Sequence, residues 1–138
     1  MPKTKWQHIT LTMPSQLWGL FALYRPMLNE LSKIAADIIS NLAQKQKIKV
    51  GMFTALHTFG HDLKWNVHMH LSTTMGGITD KDTWRNIRFS TKAIMPMWRY
   101  AFINLLRKHA KAGAHSTLKC NFLWARLPLQ YFNRCPVS

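Results

Sequence analysis

The stretch LHTFGHDLKWNVHMHLSTTMGG, Leu56 to Gly77, decides how the chain folds. Val67 to Thr74 alternates apolar and polar residues and stops at Gly76-Gly77, the pattern of a half-buried strand. Before it, Val50 to Phe59 is a second β-like run, and the two are joined by a loop, His61 to Asn66. Two strands separated by so short a connection are expected to pair antiparallel. Side chains two apart on a strand point the same way, so His68 and His70 share a face, about 7 Å apart at the Cα level by twice the ~3.4 Å rise. His57, on the preceding strand, falls within reach of either. Three imidazoles on neighbouring strands would hold one divalent cation and leave positions open for water or a phosphate oxygen. Asp62, in the loop, is expected to orient one ring from behind. The same spacing also suits half-exposed polar side chains on a strand face, and a chain with seven histidines meets H-x-H readily by composition.

Outward from this pair, Trp6 to Met13 reads as a strand in which Ile9 and Leu11 alternate with Thr10 and Thr12, ended by Pro14. Ser15 is a candidate N-cap for a short helix over Leu17 to Tyr24. After Pro26, the stripe Met27, Leu31, Ile34, Ile38 and Leu42 predicts an amphipathic helix, followed by a basic turn carrying Lys45, Lys47 and Lys49. Asp80 and Asp82 are expected in a turn, with Ile87 and Phe89 extending the sheet. A second amphipathic helix spans Ser90 to about Ala112, its stripe carrying Ile94, Trp98, Ala101, Phe102 and Leu105, with Pro96 starting or kinking it. Residues 113–138 show no period. Strands interleaved with helices give an α+β fold class, with one core over residues 1–112 and an irregular tail after it.

Composition narrows the function. In 138 residues, nineteen Lys and Arg face five acids, a net charge of +14 with 47% hydrophobic residues, so this is a folded chain whose field attracts polyanions. Two cysteines and no secretory h-region argue against a disulfide framework and fit a reducing cytoplasm. No apolar run approaches the ~18 residues needed to span a bilayer. Aromatic and basic side chains interleave as a single-strand surface requires, and Lys64, Trp65, Arg85 and Arg88 are the candidate DNA contacts, whereas Trp98 belongs to a core stripe. His8, His61, His109 and His115 have no partner at a useful spacing. Oligomerisation is left open.

Three ordered segments carry a resemblance. Leu56 to Gly77 resembles the core signature of two-tyrosine HUH rolling-circle transposases of the insertion sequence ninety-one type. WQHITLTMP, Trp6 to Pro14, resembles their first sheet strand, and TWRNIRF with MWRYAFINLLRK, between Thr83 and Lys108, resembles the segment after the metal strand. The resemblance covers about residues 5–110. It implies an HUH endonuclease fold, His68 and His70 as ligands of Mg²⁺ or Mn²⁺, His57 completing the site, single-stranded DNA at transposon ends as partner, and a tyrosine nucleophile.

The same family implies a Cys-rich zinc region before the first strand, whereas Met1 lies five residues before Trp6. It also implies two tyrosines in a segment like YLGRYLKRPPVS. Here LPLQYFNRCPVS, Leu127 to Ser138, puts Tyr131 at the second tyrosine and Leu127 at the first. The expectation is a shortened transposase, defective in full transposition, with Tyr131 the sole candidate nucleophile. A non-catalytic, basic nucleic-acid-binding protein is the alternative.

Overall fold

The computed structural model describes residues 4–59, 61–62 and 64–111. Strand β1 (Trp6–Thr12) leads through a 3-10 turn (Ser15–Leu17) into the short helix α1 (Trp18–Leu23) and the long helix α2 (Pro26–Lys45). Strands β2 (Ile48–Phe59), β3 (Trp65–Thr79) and β4 (Trp84–Asn86) follow, then helix α3 (Thr91–Lys111). The class is α+β, as the sequence predicts.

Central β3 pairs antiparallel with β1 on one edge and β2 on the other, and β4 continues the β1 side at the far end of β3. Alternation fixes which face turns inward. Ile9 and Leu11 of β1 and Val67, Met69, Leu71 and Thr73 of β3 are buried, and α1 and α2 pack on that side. Helix α2 begins with Pro26 at its first turn, where the missing N–H is no loss. It buries Met27, Leu28, Leu31, Ala35, Ile38, Ile39 and Ala43, a stripe wider than the one read from the sequence. Helix α3 lies against α2 and contributes Ile94, Trp98, Phe102 and Leu105 to the same core.

Several local expectations are corrected. Ser15 caps nothing: its hydroxyl bonds the Gln16 side chain, and Pro14 holds the N-cap position. Strand β3 runs through Gly76 and Gly77 instead of stopping there. A Cβ on Gly77 would sit 2.2 Å from the Lys49 carbonyl oxygen, and one on Gly76 would meet the Trp84 ring at 2.4 Å. These glycines admit a neighbouring backbone and a flat indole rather than a turn. Ile87 and Phe89 stay outside the sheet, which takes Trp84–Asn86 instead. Phe89 is buried, and its backbone exchanges two hydrogen bonds with the Gln7 side chain, at 2.8 and 3.0 Å. Pro96 lies inside α3 and does not start it. Asp80 and Asp82 fall in a turn as expected, Asp82 with a positive φ of 53°. Residues 113–138, read as an irregular tail, lie outside the described residues.

Candidate metal centre

The register sets the histidines together. His57 of β2 stands directly opposite His68 of β3, and Thr10 of β1 opposite His70. All three imidazoles emerge on the sheet face away from α1 and α2. Their ring centroids are 5.2 Å (His57 to His68), 4.4 Å (His57 to His70) and 4.9 Å (His68 to His70) apart. One ligand nitrogen from each lies within 4.8 Å of the others. Two nitrogens bound to one ion at ~2.0–2.1 Å can be no more than about 4.2 Å apart. Small side-chain rotations therefore close the set around a cation.

The rings are aimed by main-chain and hydroxyl groups. His68 Nδ1 lies 2.9 Å from the Asn66 carbonyl oxygen, which only accepts, so Nδ1 carries the proton and Nε2 presents its lone pair. His70 Nδ1 lies 3.4 Å from Thr10 Oγ1. The expectation that Asp62 orients a ring is corrected: its carboxylate takes the Lys64 main-chain N–H at 3.2 Å and the Lys64 ammonium at 3.2 Å, closing its own turn.

Burial holds the pKa of His70 below the ordinary imidazole value, and repulsion from His57, His68 and His8 adds to this. The lowered value favours neutral imidazole, the form that donates to a metal.

The candidate DNA contacts do not gather in one place. Lys64 is exposed beside the histidine end of the sheet. Trp65 is half-buried, its indole N–H donating to the Trp18 carbonyl at 2.9 Å while Phe59 meets the ring edge-on at 5.5 Å. Arg85 stands opposite Gly77 at the other end of β3, roughly 40 Å from Trp65 along the strand at ~3.3 Å per residue, and Arg88 lies nearer, beside Lys5 and Met75. Arg85 donates to the Gln46 carbonyl just after α2. Tyr131 lies outside the described residues, while Tyr24 packs against His109 and Tyr100 is exposed on α3.

Three features escaped the sequence reading. His8 Nδ1 lies 2.6 Å from the Ser72 hydroxyl oxygen. His109, read as partnerless, is buried and meets Glu30 at 2.6 Å, while Lys108 holds the other carboxylate oxygen at 2.8 Å. The Lys108 hydrogen bond is the main cause holding the Glu30 carboxyl below its ordinary pKa. Finally, Trp6 and Phe53 stand exposed on the histidine face, ring centroids 5.6 Å apart. Period-2 alternation puts Trp6 on the same face as Thr10, but only the register brings Phe53 beside it.

A small antiparallel sheet with helices on one face and three converging imidazoles on the other defines an α+β protein with a candidate divalent-metal centre. Residues 51–131 match the Y2_Tnp family model, described as "Putative transposase", and the chain belongs to that family. It is 39% identical over 100 residues to the transposase for insertion sequence element IS801 of Pseudomonas savastanoi pv. phaseolicola, an alignment covering 72% of this chain and 24% of the relative. The chain thus spans about a quarter of the length of that curated relative. No solved structure matches it.

Proposed function

We propose that the chain serves transposition as a DNA-nicking unit, with His57, His68 and His70 holding Mg²⁺ or Mn²⁺ and single-stranded DNA at transposon ends as substrate. The observation that carries this reading is the convergence of three imidazoles on an uncovered sheet face in a chain of a transposase family. The imidazole nitrogens, one of them the Nε2 of a ring whose Nδ1 is held by a main-chain carbonyl, suit a transition ion such as Mn²⁺ better than Mg²⁺, which would depend on water and phosphate oxygens for its remaining ligands. When bound, the ion supplies Lewis-acid polarisation of the scissile phosphate.

Tyr131 is the nucleophile in this reading. Its hydroxyl oxygen attacks phosphorus and loses its proton, the bond to the 3′ oxygen breaks, and a 5′-phosphotyrosine and a free 3′-OH result. With Leu127 at the position of a first tyrosine, one chain carries one nucleophile, enough for a single nick but not for the two-tyrosine exchange. The net charge of +14 draws the strand in. Among the described residues no helix is long and apolar enough to cross a membrane.

The test is incubation of the full chain with Mn²⁺ and a single-stranded oligonucleotide, followed by a denaturing gel. A covalent adduct lost in Tyr131→Phe and in His68→Ala supports the nicking reading. Oligonucleotide binding with neither adduct nor Mn²⁺ binding would return the chain to the non-catalytic nucleic-acid-binding class.

A further inference from the structure

Beyond the metal centre, the same sheet face continues into an aromatic stretch that the histidines do not explain. Trp6, Phe53, Ile78 and Trp84 are all large, apolar and exposed, and the pairings Trp6 with Thr74, Phe53 with Ser72 and Trp84 with Ile78 put them on the side of His68 and His70. Measured along β3 from His70, Phe53 is level with the second residue, Trp6 with the fourth and Trp84 with the eighth.

Both indoles lie beside positions where the strands carry glycine. The outer edge of the Trp6 ring is 4.0 Å from where a Cβ would stand on Gly51, and the Trp84 ring fills the space a Cβ would take on Gly76. Trp84 is pinned further by its N–H, which donates to the Asn86 side chain at 2.9 Å. Aromatic side chains left this exposed, Trp6 at 46%, Phe53 at 56% and Trp84 at 39%, are placed as platforms rather than core.

The charge around them is chiefly positive, although Asp80 and Asp82 stand in the turn between β3 and β4. Lys49 stands opposite Ile78, and Lys5 and Arg88 rim a groove of ≈ 590 Å³ that Trp84 also lines. Among the described residues no carboxylate pairs with Lys5, Lys49 or Arg88, whereas Glu30, Asp37 and Asp62 are each bound to cations elsewhere. A protein partner would have to be strongly acidic as well as aromatic-seeking. An unpaired nucleic-acid strand supplies both properties at once, a phosphate on every residue and a π-face on every base.

We propose that Trp6, Phe53 and Trp84 form a base-stacking track for single-stranded DNA, leading the strand along the open sheet face to the histidine centre. This rests on the proposed function and deepens it by naming what positions the strand. Stacking on the track is sequence-tolerant, and Lys5, Lys49 and Arg88 neutralise the backbone beside it.

The test compares binding of the full chain, by fluorescence anisotropy, to a thymidine oligonucleotide and to an abasic strand of equal length, with Mn²⁺ binding followed in parallel. The expected preference for the thymidine strand is about 5- to 150-fold per stacked base. It should vanish in Trp6→Ala/Phe53→Ala/Trp84→Ala, with the salt dependence and Mn²⁺ binding kept. Trp6→Phe should retain most of it, which separates stacking from any loss of fold. Equal affinity for the two strands, or a preference that survives the triple substitution, would overturn the track while leaving the metal reading intact. A change of mass in sedimentation on removing Phe53 would also overturn it, marking the face as a contact between two copies. If the chain binds neither strand nor Mn²⁺, the proposed function falls and the track falls with it.

Discussion

The two faces of β3 are built from one alternating segment yet carry opposite tasks. Val67, Met69, Leu71 and Thr73 point into the helices and are essentially inaccessible to solvent. His68 and His70, interleaved with them, point the other way, where no described helix packs, and their neighbours are Thr10, His57 and each other. Period 2 lets a single strand fix the core with one set of residues and hold reactive groups with the other. The consequence is that stability and chemistry should respond to different substitutions one residue apart.

The largest effect expected is on the buried side. Leu71→Ala removes a side chain that is 1% exposed at the centre of the core, and about 2–5 kcal/mol of stability should go with it, read from the shift of the urea midpoint. A loss below 1 kcal/mol would mean that the helices do not pack there.

Next comes the seam between β2 and β3. Gly77→Ala forces a methyl group against the Lys49 carbonyl, which the paired strands cannot easily move, whereas Gly76→Ala meets only the Trp84 ring, which can swing aside. The first should cost roughly 1–3 kcal/mol and the second less. Equal losses in parallel urea titrations would contradict this contrast.

A smaller effect belongs to the link between α2 and α3. The Glu30 pKa is lowered by Lys108 and then by His109, so the stabilisation is fully present above the ordinary carboxylate value near 4.5 and is lost as pH falls through the lower folded value. Glu30 faces Lys108 and His109, and Tyr24 packs against the His109 ring. Melting curves recorded below pH 4.5 should fall less steeply in Glu30→Gln than in the parent. Identical slopes would show that the contact contributes nothing.

The smallest effect is on the open side. Without metal, His70→Ala should change stability by no more than about 0.5–1 kcal/mol, since the ring is half-buried and its one bond, to Thr10, is long. A loss matching that of Leu71→Ala would erase the distinction between the faces.

Much of this arrangement was legible in the amino-acid order. The alternation of β1 and β3, the α2 stripe and the shared face of His68 and His70 follow from local periods, and the short connection after Phe59 brought His57 onto the adjoining strand. What escaped depends on register or on distant packing. Gly76-Gly77 reads locally as a strand end, and only the approach of Lys49 and Trp84 shows why the strand continues through it. Asp62 sits near the histidines in sequence but turns to Lys64, two residues on. His109 has no local partner because its carboxylate comes from α2, and Trp6 and Phe53 meet across β3 from positions 47 residues apart.

The most direct measurement is a titration of the full chain with Mn²⁺, followed by electron paramagnetic resonance and repeated on His57→Ala, His68→Ala and His70→Ala at neutral pH. The expected result is saturable binding of one ion by the parent, with binding lost or at least tenfold weaker in each variant while the melting curves stay close to the parent's. Binding that survives all three substitutions, or a parent that binds no Mn²⁺, would contradict the assignment of this imidazole cluster as the metal centre.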